Sequence, residues 1–112
     1  GGQAAIHRAV RPGHVQVVKA LLAGRVDIES TDTCEQTPMH LACFFGQDIM
    51  VQYLIECQAE IETEDLRGLT PITVAKIHSF ETIVQILKKE AEKREVEAFF
   101  AKADAAAEHN RQ

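Results

Sequence analysis

The sequence repeats itself at a fixed interval of 33 residues. The segments AIHRAVRPG (5–13), PMHLACFFG (38–46) and PITVAKIHS (71–79) align without a gap, and VKALL, VQYLI and VQILK follow in the same register. A constant period of this size is typical of stacked-repeat proteins, in which a unit buries its apolar face only against its neighbours. The chain is therefore expected to fold as a row of similar units.

Each unit carries the signals of two helices. Thr37 and Thr70 stand at the N-cap position, and each precedes a proline, which the first helical position tolerates. This first helix is expected to end near Gly46. A second helix follows, with apolar residues at helical spacing that are expected to form the core: Val15, Val18, Leu21 and Leu22, then Ile49, Val51, Leu54 and Ile55, then Ile83, Val84, Ile86 and Leu87.

The connectors and the C-terminal segment differ from these helices. Residues 27–36 and 60–69 are acidic and rich in threonine, which predicts extended excursions rather than helix. Residues 90–112 lack Gly and Pro and are rich in Ala, Glu and Lys, so the last helix is predicted to continue into them. We expect their apolar stripe to cap the last unit or to stay free, and a partner helix or coiled coil is the alternative; the stripe is Val96, Phe99, Phe100 and Ala103.

The segments TPMHLACFFG and GLTPITVAKIHS, with Asp32 and Asp65 opening their units, resemble the ankyrin repeat, whose motif begins D-x-x-G-x-T-P-L-H-x-A. The resemblance implies an all-α repeat solenoid of stacked helix-turn-helix units with β-hairpin-like fingers, followed here by a C-terminal helical extension. We place the repeat domain at 1–89, with units at about 2–30, 31–63 and 64–89, and the extension at 90–112.

The sequence departs from the ankyrin pattern at several positions. Ala4 stands where a capping threonine is expected, at a cost of about 1 kcal/mol. Glu35 replaces the usual finger glycine, and Arg25 and Gln58 replace the glycine that ends the second helix. Non-glycine residues are therefore predicted to adopt positive φ after these helices, at about 1 kcal/mol each.

His40 and Cys43 lie three residues apart, which raises the alternative of a thiol-based redox switch or a thiol nucleophile at Cys43. However, His7 occurs one period earlier with Val10 at the thiol position, so the histidine recurs without the cysteine. The resemblance implies that His40 hydrogen-bonds backbone between adjacent units. A zinc site with Cys34 would lack a fourth ligand, and we predict no catalytic residue, no metal and no cofactor.

The resemblance implies that a protein partner binds the concave face and the finger tips. Phe44 and Phe45 are apolar where many repeats are polar, which favours a binding patch; the alternative is that a ring packs against the next unit. The full set of predicted contact residues is Arg11, Pro12, Phe44, Phe45, Ile77 and His78 on the concave face, and Thr33, Cys34, Gln36, Leu66, Arg67 and Leu69 at the finger tips.

Composition narrows the function further. A formal charge of −5 argues against nucleic-acid binding, and no apolar run is long enough for a membrane span. Three cysteines without a CxxC motif suggest reduced thiols and an intracellular protein, cytoplasmic or nuclear. We predict a non-catalytic interaction module, formed by three repeats or by part of a longer array, monomeric or weakly self-associating through its C-terminal helix. The alternative is a structural spacer or dimeriser.

Overall fold

A computed structural model of the chain describes the backbone of residues 4–109 and the side chains of residues 4–104. The first residues of the predicted repeat domain, 1–3, and the last residues of the predicted extension, 110–112, lie outside the described residues. The helices are α1 (Ala5–Val10), α2 (Val15–Ala23), α3 (Pro38–Phe44), α4 (Asp48–Glu56), α5 (Pro71–Ile77) and α6 (Glu81–His109). Helices α1, α3 and α5 pack in one layer and α2, α4 and α6 in a second. Within residues 4–109 there is no strand, and the predicted all-α repeat solenoid is confirmed.

The first helix of each unit starts where the sequence signals place it, but the capping bonds differ. Thr37 Oγ1 accepts a hydrogen bond from the backbone N–H of His40, so this predicted cap is confirmed. Ala4 begins α1 without a side-chain bond, also as predicted. Thr70 occupies the N-cap position of α5, but its hydroxyl lies 2.9 Å from the Thr73 hydroxyl and caps no backbone group. The predicted position of Thr70 is therefore confirmed, but its side chain makes no capping bond, because the threonine three residues later competes for its oxygen.

The positive φ angles appear where the missing glycines predict them. Arg25 and Gln58 follow α2 and α4 with φ of 70° and 64°. Glu35 has a φ of 59°, and Gly68, one period later, has 81°. A left-handed conformation costs a residue with a Cβ atom roughly 1 kcal/mol, so these three positions weaken the stack slightly.

The core lies between the two helix layers and contains most, but not all, of the predicted residues. Val18, Val51, Leu54, Ile83, Val84 and Leu87 are buried, whereas Val15, Leu21, Leu22, Ile55 and Ile86 are half-buried. Ile49 is 72% exposed, so its place in the predicted core row is wrong. Met50, the next residue along α4, is 1% exposed and faces the core in its place.

One register position shows how the units depend on each other. Met50 and its equivalent Ile83 are 1% and 0% exposed, but Val17, the equivalent residue of the first unit, is 47% exposed. These side chains lie on the side of the second helix that meets the preceding unit. Since no earlier unit stands before α2 in the described residues, Val17 has less apolar surface to pack against.

In the first two pairs of helices, the turn between the helices is shaped by a glycine and by the following unit. Gly13 and Gly46 have φ of 81° and 66°. A Cβ atom on Gly13 would lie 2.6 Å from the Gln47 side chain, and one on Gly46 would lie 2.8 Å from the Phe80 ring. Gln47 and Phe80 are equivalent residues one period apart, so each unit places a side chain in the glycine turn of the unit before it.

Helix α6 runs for 29 residues and crosses the predicted boundary at 89/90 without a break, which confirms the predicted continuation; the boundary itself stays a prediction. The apolar stripe does not cap the last unit, since Val96, Phe99 and Phe100 are 53%, 68% and 59% exposed. The small side chains of Ala91 and Ala98 continue the stack-facing side of α6 instead. Of the two expected arrangements, a cap or a free helix, the described residues show the free one.

Candidate partner-binding surface

Two aspartates close the fingers that project between the units. Asp32 Oδ1 accepts hydrogen bonds from the backbone N–H groups of Cys34 and Gln36, at 2.8 and 2.9 Å. Asp65 repeats this arrangement in the next finger with Arg67 and Leu69, at 2.8 and 3.0 Å. A backbone bond of 2.9 Å from Leu66 N–H to the Cys34 carbonyl joins the fingers, so their tips form one continuous edge.

The carboxylate of Asp65 is buried in its turn. Burial alone would raise its pKa, but the N–H groups of Leu69 and Arg67 and the neighbouring His40 and Arg67 side chains stabilise the charged form. The pKa of Asp65 is consequently held below its usual value. The finger is thus held by a charged group, which makes its geometry sensitive to acid.

Each finger is tied to the helix layer of the preceding unit by one histidine. His7 Nε2 lies 2.9 Å from the Gln36 carbonyl oxygen, and His40 Nε2 lies 2.8 Å from that of Leu69. His40 Nδ1 accepts a bond from the Thr37 N–H at 3.1 Å. The predicted structural role of His40 is therefore confirmed, and both of its ring nitrogens are engaged.

Cys43 has no base available to activate it. His40 is committed to backbone partners, and the Cys43 side chain is fully buried. Burial raises the pKa of the thiol to about 12. A reactive thiol needs a lowered pKa and access to solvent, so this geometry is that of a packing residue.

The concave side carries a row of aromatic rings across the second and third units. The rings of Phe44 and Phe45 meet edge to face at 4.9 Å, and Phe44 meets the His78 ring at 4.7 Å in the same manner. His78 in turn stacks on Phe80 at 5.9 Å. Phe44 and Phe45 remain 40% and 37% exposed. Each of these two rings therefore both packs and faces solvent, and their role as a binding patch stays a prediction.

A shallow pocket joins this aromatic row to the first unit. Its volume is about 170 Å³, and Arg11, Gln36, Leu41, Phe44 and Phe45 line it. The Arg11 guanidinium lies 5.6 Å from the centre of the Phe45 ring, within the range of a cation–π interaction. The pocket thus brings together residues of two units and one finger.

The remaining predicted contact residues divide into two groups. Leu66 is 66% and Ile77 is 61% exposed, and neither lines the pocket. Thr33, Cys34, Arg67 and Pro12 are also exposed, while Gln36 and Leu69 are half-buried, with their carbonyl groups bound to the histidines. Gln36 and Leu69 therefore contribute to the contact between units at least as much as to the protein surface.

Phe80 was missed in the sequence, although it completes the aromatic row. The residue one period earlier is Gln47, and the one before that is His14, so the repeat pattern shows no preference for an aromatic ring there. The sequence feature that could have indicated the position of Phe80 is Gly46, because a residue without a side chain at that position leaves room for the Phe80 ring.

The sequence model of a family described as ankyrin repeats (3 copies) matches residues 2–97. The chain belongs to the ankyrin-repeat family. In this ankyrin domain, the histidine of the TPMH segment ties adjacent units together, as His7 does one period earlier, and the exposed aromatic pair lies at the end of the same short helix.

Several curated proteins resemble this ankyrin chain. Protein phosphatase 1 regulatory subunit 27 of Mus musculus is 32% identical over 87 residues, 78% of this chain and 56% of that protein. The Homo sapiens protein of that name is 36% identical over 70 residues, 62% of this chain and 46% of that protein. Protein phosphatase 1 regulatory subunit 12A of Mus musculus is 26% identical over 113 residues, 97% of this chain but 11% of that protein. The ankyrin chain thus spans about half the length of the first two relatives.

Other features of the ankyrin stack provide fewer groups that could bind a ligand. A cavity of about 460 Å³ lies at the outer side of the third unit, where Ile61, Ile72 and Leu87 form an apolar floor. In the described part of the chain, no three His, Cys, Asp or Glu residues are grouped so as to hold a metal ion. Across residues 4–109, every helix is too short or too polar to cross a lipid bilayer.

Proposed function

We propose that this chain is a non-catalytic interaction module that binds a protein partner through its concave face and finger tips. The observation that carries the proposal is the pocket lined by Arg11, Gln36, Phe44 and Phe45, which spans two units. Exposed aromatic rings with an arginine at their edge have the composition of binding hot spots. Membership of the ankyrin-repeat family supports a protein rather than a small molecule as the partner.

The chemistry of the pocket suggests which side chains enter it. At about 170 Å³ it accommodates a single apolar or aromatic side chain, with Leu41 as its floor. The Arg11 guanidinium at the rim favours a carboxylate beside that side chain, because a bidentate pair forms there without burying an uncompensated charge. The partner segment is therefore proposed to present an apolar residue next to an Asp or Glu.

The names of the relatives supply one candidate partner. Two of the similar proteins are named regulatory subunits of protein phosphatase 1, which makes that phosphatase the first protein to test with this chain. Binding is measured by calorimetric titration of the purified phosphatase with wild type, Phe45→Ala and Ile49→Ala. Ile49, 72% exposed on α4, is the matched control, because it removes apolar surface outside the pocket.

We expect Phe45→Ala to weaken binding at least tenfold, or about 1.4 kcal/mol, and Ile49→Ala to leave it unchanged. Phe45 is partly buried, so circular dichroism must first show that the variant is folded. If the phosphatase does not bind the wild type, the same three proteins are used for affinity capture from cell extract. Equal capture by all three would refute the pocket as the binding site.

The alternatives receive less support from the geometry. A redox switch at Cys43 conflicts with its burial and raised pKa. The exposed stripe on α6 would allow the chain to dimerise in addition to binding a partner at the concave surface.

We also propose an intracellular location, cytoplasmic or nuclear, since Cys34, Cys43 and Cys57 are all unpaired.

A further inference from the structure

The C-terminal part of α6 carries an apolar stripe that covers nothing in the described structure. Val96, Phe99 and Phe100 are more than half exposed, at 53%, 68% and 59%. The two phenyl rings meet each other edge to face at 5.8 Å, and Ala103 lies one turn further along on the same side. Two adjacent rings in water on an otherwise charged helix form a concentrated apolar patch.

The stripe points away from the repeat stack. Leu87 marks the side of α6 that packs on the other units, with 2% exposure. Val96 follows nine residues later, which at about 100° per residue places it roughly half a turn around the helix from Leu87. A second molecule therefore reaches the stripe without displacing any unit of the stack.

Charged side chains flank the stripe in an order that complements itself. Glu95 and Lys102 lie on one flank, and Lys93 and Asp104 lie on the other; all four are exposed. When two copies of α6 cross antiparallel, with the Phe99 rings near the two-fold axis, Glu95 of each copy faces Lys102 of the other. On the opposite flank, Lys93 faces Asp104. A parallel pair would instead bring each flank against the other flank of the second copy, and the Glu95–Lys102 and Lys93–Asp104 pairs would not form.

We propose that a second copy of this chain docks on the stripe, so that two α6 helices pair antiparallel in a symmetric dimer. This inference goes beyond the proposed function, because it uses a face remote from the concave pocket. The stripe buries on the order of 400 Å² per copy, about half of what a stable interface buries per partner. Glu97 also faces no opposite charge on its flank. The dimer is therefore weak and forms at tens of micromolar or above.

Self-association of the full chain is measured by sedimentation velocity between about 1 and 500 μM, a range centred on that expected affinity. The wild type is expected to shift from 12.4 kDa to twice that mass as the concentration rises. Phe99→Glu should remain monomeric throughout, whereas Ile49→Glu, an equally exposed apolar position on α4, should associate like the wild type. A wild type that stays monomeric at every concentration overturns the proposal, as does a Phe99→Glu variant that still dimerises.

Charge exchange tests the antiparallel register. Glu95→Lys alone and Lys102→Glu alone each bring like charges together, so each is expected to weaken association at least fivefold. An equimolar mixture of the two variants restores the opposite pairs on that flank and should dimerise like the wild type. Both residues are exposed, so thermal unfolding at low concentration should be unchanged and reports folding separately. A mixture no stronger than its components overturns the antiparallel arrangement.

Discussion

Replacing His40 with alanine is expected to destabilise the protein more than any other single change in the helix–finger contacts. Its imidazole is fully buried and has partners on both nitrogens. Alanine would leave the Thr37 N–H without a partner and would remove one of the two hydrogen bonds to the Leu69 carbonyl, which would keep the bond from the Asp65 N–H. The unsatisfied N–H costs about 1–3 kcal/mol and the lost bond to Leu69 about 1 kcal/mol, so we expect a total loss of about 2–4 kcal/mol.

The repeat supplies matched controls at the same register. Thr73, the equivalent residue of the third unit, bonds only to the Thr70 hydroxyl, so Thr73→Ala should cost less than about 1 kcal/mol. His7→Ala removes the tie to the Gln36 carbonyl at the edge of the stack, and an intermediate loss of about 1–3 kcal/mol is expected. The predicted order of destabilisation is therefore His40, then His7, then Thr73.

Urea denaturation followed by circular dichroism at 222 nm measures these differences, provided that the slope with denaturant stays constant among the variants. A domain of this size has about 5–15 kcal/mol of stability, so even the largest predicted loss should leave a folded baseline. A cost below about 1 kcal/mol for His40→Ala, or an equal cost for Thr73→Ala, would refute the assignment of the histidine as the main tie between units.

Three further predictions follow from single sites. Glu35→Gly should stabilise the protein by up to about 1 kcal/mol in the same urea assay. Gly68→Ala should cost a similar amount, because its Cβ atom would meet no neighbour within 4 Å and only the positive φ opposes it. If both variants were as stable as the wild type, the positive φ angles would carry no strain. Because its pKa is raised to about 12, Cys43 should react with iodoacetamide only after unfolding, while exposed Cys34 reacts in the native state, as mass spectrometry of timed samples would show; early labelling of Cys43 would contradict its burial. The folded-state pKa of Asp65 is lowered, so its contribution to stability is complete above the unfolded-state pKa near 4 and is lost as the pH falls through the folded-state pKa. Asp65→Asn should therefore reduce the loss of stability in acid. If the variant showed the same pH dependence as the wild type, this role of Asp65 would be refuted.

The fold was predictable because several independent signals share one register. The period, the Thr37-Pro38 helix start and the recurrence of His7 and His40 agree on where each unit begins. The positive φ of Arg25 was also predictable, since a helix end of this type normally needs glycine. Such features are determined within one unit, and the repeat then confirms them.

The errors arose where a side chain's environment depends on the neighbouring unit. Periodicity alone allowed either Ile49 or Met50 to face the core, and the direction in which α4 packs on α2 decided for Met50. The role of Phe80 depended on the turn at Gly46 in another unit. An apolar stripe indicates burial only when a surface is available to cover it, and the rotation of α6 turns Phe99 away from the stack.

The partly exposed Val17 marks the first unit as the least covered of the three units in the described residues. The first unit also lacks a side-chain cap at Ala4, so it has the fewest stabilising contacts, and its amides should exchange with solvent before those of the second unit. Arg11 belongs to that unit, whereas Phe45 belongs to the next. A partner bound across Arg11 and Phe45 would hold the first unit against the second, and part of its binding energy would be spent on ordering the first unit.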